Sequence, residues 1–226
     1  MKEYGDLNTV GKAWIVLADT ILSKGFERKH GSETFTELKG ISFSISGDIM
    51  YDNIVSKYGN KTKIEWMRNN FEVLAPVKEL QDANSYASRL FNYCGTKNQI
   101  AWIVEKINAD RFTRSASITT FEPLTDVNYI PCISMLDFDI EENTLNLYVY
   151  SRGLDFGNKA YGNMICIADI LKLVAKQTKL CVGNIYFICK SIHIYDTEYE
   201  EMKKIICEVK KNYKWVQGNA INPDVR

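Results

Sequence analysis

A cysteine and an arginine flank a segment whose pattern is typical of a β-hairpin. Residues 133–140 and 145–150 alternate apolar and polar side chains, and the polar run Glu141-Glu142-Asn143 separates them. Because a hairpin brings its outer ends together, we expect the Cys132 thiol and the Arg152 guanidinium to be neighbours. A nearby positive charge lowers the pKa of a thiol from about 8.5 and favours the nucleophilic thiolate. The pair therefore predicts nucleophilic chemistry at Cys132, with an ordinary strand cysteine as the alternative.

The elements that must position this pair are indicated by hydrophobic periodicity. Apolar residues at helical spacing predict helices in residues 9–24, 66–74, 84–93, 98–107, 161–176 and 198–211. Alternating or continuous apolar runs predict strands in residues 37–46, 116–121 and 181–194, besides the hairpin. We expect a loop with short turns in residues 47–63 and no clear element in residues 213–226.

Strand patterns concentrate in the second half of the chain, with few strict β-α-β alternations. This predicts an α+β fold in which a large mixed or antiparallel sheet with flanking helices surrounds one long buried helix, residues 161–176. No internal repeat, low-complexity tract or linker interrupts the sequence. We therefore expect residues 1–226 to form a single domain.

Composition excludes several classes of function. The 226 residues are 46% hydrophobic, and 28 basic residues balance 28 acidic ones, which disfavours nucleic acid as a partner. No apolar stretch reaches spanning length and the first residues do not resemble a signal peptide, so we expect a cytoplasmic protein with no membrane partner. The six cysteines show no CxxC pairing, so we expect neither a metal site nor a disulfide framework.

Further residues follow Cys132 at defined intervals. Arg152 lies 20 residues after Cys132, Asn163 lies 11 after Arg152, and His193 lies 30 after Asn163. In this order the residues resemble the motifs of the thymidylate synthase family, and the short chain is similar to its compact archaeal-type members. The resemblance covers residues 84–195 and is carried by Tyr86-Ala87-Ser88-Arg89, Thr113-Arg114-Ser115, Pro131-Cys132, Ser151-Arg152-x-x-Asp155, Asn163 and His193-x-Tyr195.

For the reacting end of the site, the resemblance implies Cys132 as nucleophile and Tyr86 as a second catalytic residue. Arg152 would hold the nucleotide phosphate, for which a bidentate guanidinium is suited, with Gly153 beside it. Asp155 would orient the pterin and the base. The residues alone leave alternatives open: Arg152 in a surface salt bridge, and Asp155 as the cap of a turn.

For the base and the sugar, the resemblance implies Asn163, His193 and Tyr195. An asparagine amide offers one donor and one acceptor, which match O4 and N3–H of uracil, whereas cytosine presents the opposite pattern. A helix N-cap is the alternative role of Asn163. His193 and Tyr195 are two apart on a strand and face the same side, where both could reach a ribose hydroxyl. A satisfied core histidine is the alternative for His193.

The implied reaction transfers a one-carbon unit from 5,10-methylenetetrahydrofolate to C5 of dUMP through a covalent adduct between cysteine and C6, giving dTMP. The implied partners are a pyrimidine nucleotide monophosphate, a reduced folate and a second copy of the chain, with Arg114, and Arg111 close by, reaching the partner's phosphate. No metal is implied. A pyrimidine nucleotide hydroxymethylase of the same fold and a non-catalytic nucleotide-binding homologue remain alternatives, as does a solvated position for Arg114.

The sequence also departs from the family pattern. Ile133 stands where a histidine usually follows the nucleophile, Gly153 where a serine follows the phosphate arginine, and Ser115 where a second arginine is usual. For the usual glutamate on an early helix, Glu65 is a loose candidate, and residues 221–226 differ from the usual closing segment. These departures touch the folate and proton-transfer side more than the nucleotide side.

Overall fold

A large mixed sheet organises the protein, whose computed structural model describes residues 1–48, 52–127 and 129–213. The strands, in chain order, are β1 (Lys2–Asp6), β2 (Phe26–His30), β3 (Glu33–Ser46), β4 (Pro76–Val77), β5 (Ala83–Asn84), β6 (Ala116–Thr119), β7 (Ile133–Glu141), β8 (Thr144–Ser151), β9 (Leu154–Asp155) and β10 (Cys181–Tyr195). The helices are α1 (Val10–Lys24), α2 (Asn53–Tyr58), α3 (Lys61–Glu72), α4 (Tyr86–Phe91), α5 (Gln99–Ala109), α6 (Ala160–Thr178) and α7 (Tyr199–Asn212). Short 3₁₀ turns occupy Lys78–Leu80 and Asp196–Glu198.

The main sheet has the strand order β1-β3-β10-β8-β7-β6, with β2 added beside β3 and β9 beside β10. β10 pairs in parallel with β8 and β9 and antiparallel with β3, while β7 pairs antiparallel with both β6 and β8. Strands β4 and β5 form a separate ladder. The predicted α+β architecture with a mixed sheet is confirmed.

Helix α6 forms the centre of the core. Its 19 residues are apolar on several faces, and it contacts α1, α3, α5, β8 and β10. A helix that is apolar nearly all round is stable only when it is covered on most sides. The predicted long buried helix is therefore confirmed, extended by one residue at its start and two at its end.

The loop predicted for residues 47–63 is wrong. Residues 47–63 contain α2 and the start of α3 instead of a continuous loop, because two side chains cap helices there. Asp52 accepts hydrogen bonds from the backbone N–H groups of Ile54 and Val55 at 3.0 and 3.1 Å, and Asn60 accepts one from Lys63 at 3.2 Å.

The edge strands β1 and β2 were also missed, because nearly all their residues are exposed and show no alternation. The helix expected over residues 84–93 is shorter, since Ser85 caps it and α4 begins at Tyr86. The other predicted helices and strands are present with shifts of a few residues at their ends. Of the C-terminal segment, residues 214–226 lie outside the described residues.

A buried ion pair fastens α4 to the segment that leads to Cys132. The side chain of Arg89 is 1% exposed and donates two hydrogen bonds to the Asp126 carboxylate, at 2.7 and 2.6 Å. It also donates to the carbonyl oxygens of Asn84 at 2.9 Å and Thr120 at 2.7 Å. All these groups are withdrawn from water, so they depend on one another for hydrogen bonds.

We expect Arg89→Ala to lower the free energy of unfolding by about 3 kcal/mol or more, because it leaves the Asp126 charge buried without its partner. Urea denaturation measures this change. Arg68→Ala is the matched control: its pair with Asp169 spans 3.8 Å, and the two side chains are 48% and 50% exposed. We expect this control to cost less than about 1 kcal/mol. Equal losses in the two variants would contradict the assigned role of Arg89.

Candidate functional site

The outer ends of the β7–β8 hairpin meet as the sequence predicts. Ile133 pairs with Ser151 in the ladder, which places Cys132 beside Arg152. The Arg152 backbone N–H donates to the Cys132 carbonyl oxygen at 2.9 Å, and the Ser151 hydroxyl donates to the same oxygen at 3.0 Å. The predicted adjacency of the cysteine and the arginine is confirmed.

The guanidinium of Arg152 braces the backbone just before the cysteine. Its Nε donates to the carbonyl oxygens of Ile130 at 3.0 Å and Pro131 at 3.1 Å, and one terminal nitrogen also donates to Ile130. Across the described ranges, no carboxylate lies within ion-pair distance of this side chain. The alternative of a surface salt bridge is therefore wrong for the described residues, and the positive charge is available to an anion.

The pKa of the Cys132 thiol is raised, whereas the sequence led us to expect a lowered pKa. Burial raises the pKa of this thiol above its ordinary value. The positive charges of Arg152 and Lys159 lower the pKa and the negative charge of Asp155 raises it, but burial is the largest cause. The expectation that Arg152 leaves the thiol with a depressed pKa is thus wrong for the free protein, although the direction of the arginine's own effect is correct.

Two tyrosines flank the thiol. The Tyr86 hydroxyl oxygen accepts a hydrogen bond from the Ile133 N–H at 3.0 Å, and burial raises the pKa of this phenol well above its ordinary value. The Tyr129 hydroxyl neighbours the Cys132 thiol and lowers the pKa of that thiol, and burial likewise raises the pKa of Tyr129. Sequence reasoning missed Tyr129, although its position three residues before the candidate nucleophile was a usable signal.

Lys159 is a second cation of the site that sequence reasoning missed. It occupies the N-cap position of α6, and its ammonium lies 5.6 Å from the centre of the half-buried Trp66 ring. Its charge acts on Cys132, Asp155 and His193 together. A lysine between the candidate residues Asp155 and Asn163 was the available signal.

Asn163 carries an unpaired polar atom in a buried position. The residue lies in the first turn of α6, where its N–H donates to the Lys159 carbonyl oxygen at 3.0 Å, so the alternative role as N-cap is wrong. Its side chain is 4% exposed, and its Oδ1 has no hydrogen-bond partner among the described residues. A buried amide oxygen without a donor costs about 1–3 kcal/mol, so this atom indicates a ligand that brings an N–H or O–H group.

His193 and Tyr195 lie on the same side of β10 and touch each other. Their ring centres are 5.1 Å apart, and both rings pack edge-on against Phe35, at 5.6 and 5.9 Å. Burial lowers the pKa of His193 to about 4, so its imidazole is neutral near pH 7. Burial raises the pKa of Tyr195 to about 12, so its hydroxyl keeps its proton there. Both can donate or accept hydrogen bonds as neutral groups.

Asp155 lies on β9, the strand that pairs with β10 beside His193. It is paired with His193 in the β9–β10 ladder, and its side chain is largely withdrawn from solvent. Its Oδ1 accepts a hydrogen bond from the Gly157 N–H at 3.0 Å, so its alternative role as a turn cap is confirmed. Burial, followed by the nearby charge of Glu198, raises the pKa of Asp155 to about 7. A role in orienting the pterin and the base stays a prediction.

Three other predicted positions lie away from Cys132 or face solvent. Arg111 donates to the Thr178 carbonyl oxygen at 3.0 Å, at the end of α6 opposite Asn163 and about 27 Å from its start at 1.5 Å per residue. Arg114 is exposed before β6, and Glu65 is exposed on α3. A contribution of either arginine to a partner's site stays a prediction.

The described residues contain no group of three or more histidine, cysteine, aspartate and glutamate side chains that could hold a metal ion. None of the helices within the described ranges has both the length and the apolar character needed to cross a bilayer.

Comparison with known proteins identifies the family to which the chain is similar. The family model described as thymidylate synthase matches residues 40–219. A protein named putative thymidylate synthase from Methanococcoides burtonii is 33% identical over 124 residues, which cover 54% of this chain and 57% of the relative. A deoxyuridylate hydroxymethyltransferase from Bacillus phage SP01 is 32% identical over 122 residues, covering 51% and 31%. A thymidylate synthase from Mycoplasma genitalium is 28% identical over 120 residues, covering 52% and 42%.

These matches therefore span about half of the archaeal relative and less of the other two. The family model reaches further, since it covers most of the chain and includes the hairpin, α6 and β10 that position the site. The predicted resemblance is confirmed: the protein belongs to the thymidylate synthase family.

Proposed function

We propose that the protein transfers a one-carbon unit from 5,10-methylenetetrahydrofolate to C5 of dUMP, with Cys132 joined to C6 of the base during turnover. The observation that carries the proposal is the buried, unpaired Oδ1 of Asn163. The uracil N3–H group would donate to this oxygen, and uracil O4 would accept from the Asn163 amide nitrogen. Ligand binding would then satisfy an atom that the described protein residues leave without a partner.

Arg152 would bind the phosphate of the nucleotide. Its Nη1 makes no hydrogen bond to a described residue, and its charge is not matched by a nearby carboxylate in those ranges. A phosphate held here fixes the base relative to the thiol, which supplies the proximity that the reaction needs. His193 and Tyr195, both neutral near pH 7, would face the sugar hydroxyl as hydrogen-bonding groups.

Cys132 would act as the nucleophile. Its thiolate forms a bond to C6, and the electron pair of the C5–C6 double bond moves toward O4, which makes C5 nucleophilic. C5 then bonds to the one-carbon unit of the folate as the bond from that carbon to one folate nitrogen breaks. C5 loses its proton, the bond to the second folate nitrogen breaks, and tetrahydrofolate leaves a methylene group attached to C5. Addition of hydride or water to this methylene is accompanied by breakage of the bond between C6 and sulfur, which frees Cys132. Reduction of the attached methylene by hydride from the folate gives a methyl group, whereas addition of water gives a hydroxymethyl group.

Hydroxymethyl transfer is the second candidate function. The similarity to the phage deoxyuridylate hydroxymethyltransferase favours it. Incubation with dUMP and methylenetetrahydrofolate, followed by mass spectrometry of the nucleotide, separates the two. A gain of CH₂ supports methylation and a gain of CH₂O supports hydroxymethylation. A nucleotide that binds but is never changed would contradict both.

We further propose that the protein acts as a homodimer formed through the outer face of its sheet. Met135 and Tyr150 are partners in the ladder, and Tyr148 stacks on Tyr186 in the next strand at 4.8 Å. Met135, Tyr148 and Tyr150 are 41%, 38% and 37% exposed, which is unusual for adjacent large side chains on one sheet face. A second copy would cover this face, and the exposed Arg114 would be available to the partner's phosphate site.

The missing serine after Arg152 can be restored. Among the described residues, a Cβ placed on Gly153 would meet only His193 Cε1, at 3.7 Å, which is an ordinary contact. We expect Gly153→Ser to fold normally and to bind dUMP about threefold to tenfold more tightly, because the added hydroxyl supplies one hydrogen bond to the phosphate. Titration calorimetry measures the dissociation constant. Gly153→Ala is the control, because it adds the same Cβ and restricts the backbone equally but carries no hydroxyl. A serine variant that binds dUMP no better than the alanine variant would contradict a hydrogen bond from this hydroxyl to the phosphate.

A further inference from the structure

A second carboxyl group, Glu198, lies directly against Asp155. Glu198 ends the 3₁₀ turn that follows β10, and its Oε1 accepts a hydrogen bond from the Asn158 side-chain amide at 2.7 Å. Its Oε2 is buried and receives no hydrogen bond from a donor in the described residues. A Cβ added at Gly157 would collide with this oxygen. The Glu198 carboxyl can therefore pack against the turn at residues 155–157 only because Gly157 has no side chain.

The same turn holds the carboxyl of Asp155. The Gly157 N–H donates to Asp155 Oδ1 at 3.0 Å, and the Asp155 side chain is only 8% exposed. The Asp155 and Glu198 carboxyls are near neighbours, since each changes the pKa of the other. Two adjacent buried carboxyls cannot both ionise without strong repulsion, and a single proton between them supplies the donor that Glu198 Oε2 lacks.

Other charged and titratable groups surround the carboxyl pair from several elements. Burial raises the pKa of both acids, and that of Asp155 reaches about 7. The positive charge of Lys159 acts in the opposite direction and lowers the pKa of both carboxyls. Among the described residues, further groups near the pair are Cys132 before β7, Tyr161 on α6 and, on β10, Tyr195 and His193, the ladder partner of Asp155. Tyr161 and Tyr195 stay neutral near pH 7 because burial raises the pKa of each to about 12.

We propose that Glu198 is a positioning residue that holds a proton on Asp155, so that the carboxyl facing Cys132 is neutral when the thiolate forms. This inference deepens the proposed function, because it concerns the nucleophile of that site. A negative Asp155 opposes ionisation of Cys132, and a protonated Asp155 does not. The charge that remains on the pair is then carried by Glu198, on the 3₁₀ turn after β10, and the positive charges of Arg152 and Lys159 act on the thiol without opposition from Asp155.

The sign of the effect can be tested by removing the Glu198 charge. In Glu198→Gln, Asp155 loses the negative charge of its neighbour while burial remains, so its pKa falls and a larger fraction of Asp155 is ionised at pH 7. We expect the rate of Cys132 alkylation by iodoacetamide at pH 7 to fall about threefold to tenfold, because a nearby like charge raises the pKa of a thiol by roughly a unit. Peptide mass spectrometry follows Cys132 separately from the exposed Cys94, Cys181 and Cys207.

Two further variants separate charge from packing. In Asp155→Asn/Glu198→Gln the residue beside the thiol is permanently neutral, so we expect the alkylation rate to return to at least the wild-type value. Glu200→Gln is the matched control, since Glu200 is exposed and pairs with Lys203 at 2.8 Å, and we expect no change.

A wild-type rate in Glu198→Gln would overturn the inference, and so would a double variant that stays as slow as the single one. The measurement uses the free protein without nucleotide or folate. Its outcome is therefore independent of whether the chain transfers a one-carbon unit, which product analysis decides.

Discussion

Replacing Cys132 by serine is expected to lower the rate of one-carbon transfer by at least about 10⁴-fold, the scale of loss seen when a covalent nucleophile is removed. A serine hydroxyl keeps its proton near neutral pH and is a far weaker nucleophile than a thiolate, so the bond to C6 does not form. Binding of dUMP should change by less than about threefold, because Arg152 and Asn163 keep their positions and the exchange of sulfur for oxygen is small. Single-turnover kinetics and titration calorimetry measure the two quantities.

Cys207→Ser provides the matched control, since this exposed cysteine on α7 lies outside the site and undergoes the same chemical change. We expect its turnover to equal that of the wild type. If Cys132→Ser retained a substantial fraction of the wild-type rate, a covalent mechanism through this residue would be wrong.

The second large effect is expected at Asn163, where Asn163→Asp should lower kcat/KM for dUMP by roughly 10³-fold or more, as found where a site is built to hydrogen-bond a specific substrate group. An aspartate cannot donate to uracil O4 when ionised, and the position is 4% exposed, so the mismatch is not relieved by water. A protonated aspartate instead accepts from the cytosine amino group and donates to N3. The variant should therefore gain activity or affinity toward dCMP.

Comparing kcat/KM for dUMP and dCMP in the wild type, Asn163→Asp and Asn163→Ala tests this specificity. The alanine variant should lose discrimination without gaining preference for cytosine, because it offers no hydrogen bond to either base. Undiminished use of dUMP by Asn163→Asp would show that Asn163 does not read the base.

Local sequence patterns were sufficient to predict the hairpin and the helix that position the candidate site. The alternation in β7 and β8, the charged turn between them and the apolar run of α6 each fit one element only, so the hairpin and the buried helix could be predicted. The capping residues Asp52 and Asn60 were also visible in the sequence, but the weak periodicity around them concealed α2 and the start of α3. Strands β1 and β2 lack alternation because they lie at exposed positions.

Properties that arise from tertiary packing could not be predicted in the same way. The position of Arg152 beside Cys132 followed from the hairpin, but the pKa of the thiol depends on burial by residues distant in sequence. The unpaired oxygen of Asn163 became apparent only when its surroundings were known. Glu198 lies 43 residues after Asp155, and nothing in the spacing indicates that the two carboxyls meet.

The groups around Cys132 explain why the pKa of its thiol is raised in the free protein. Burial opposes ionisation, while Arg152 and Lys159 favour it. Such balance keeps the thiol largely protonated in the free protein, and it makes the reactivity of Cys132 sensitive to each neighbouring charge. Variants of these charges are therefore expected to change the pH dependence of thiol alkylation more than the stability of the fold.

Intact-mass spectrometry with 5-fluoro-dUMP and methylenetetrahydrofolate tests the central claim most directly. The fluorine at C5 cannot leave as a proton does, so the reaction stops with the enzyme, the nucleotide and the folate covalently joined. We expect a stable adduct of these three components, located by peptide mapping on Cys132 and absent in Cys132→Ala. Nucleotide binding without an adduct, or an adduct on another cysteine, would contradict it.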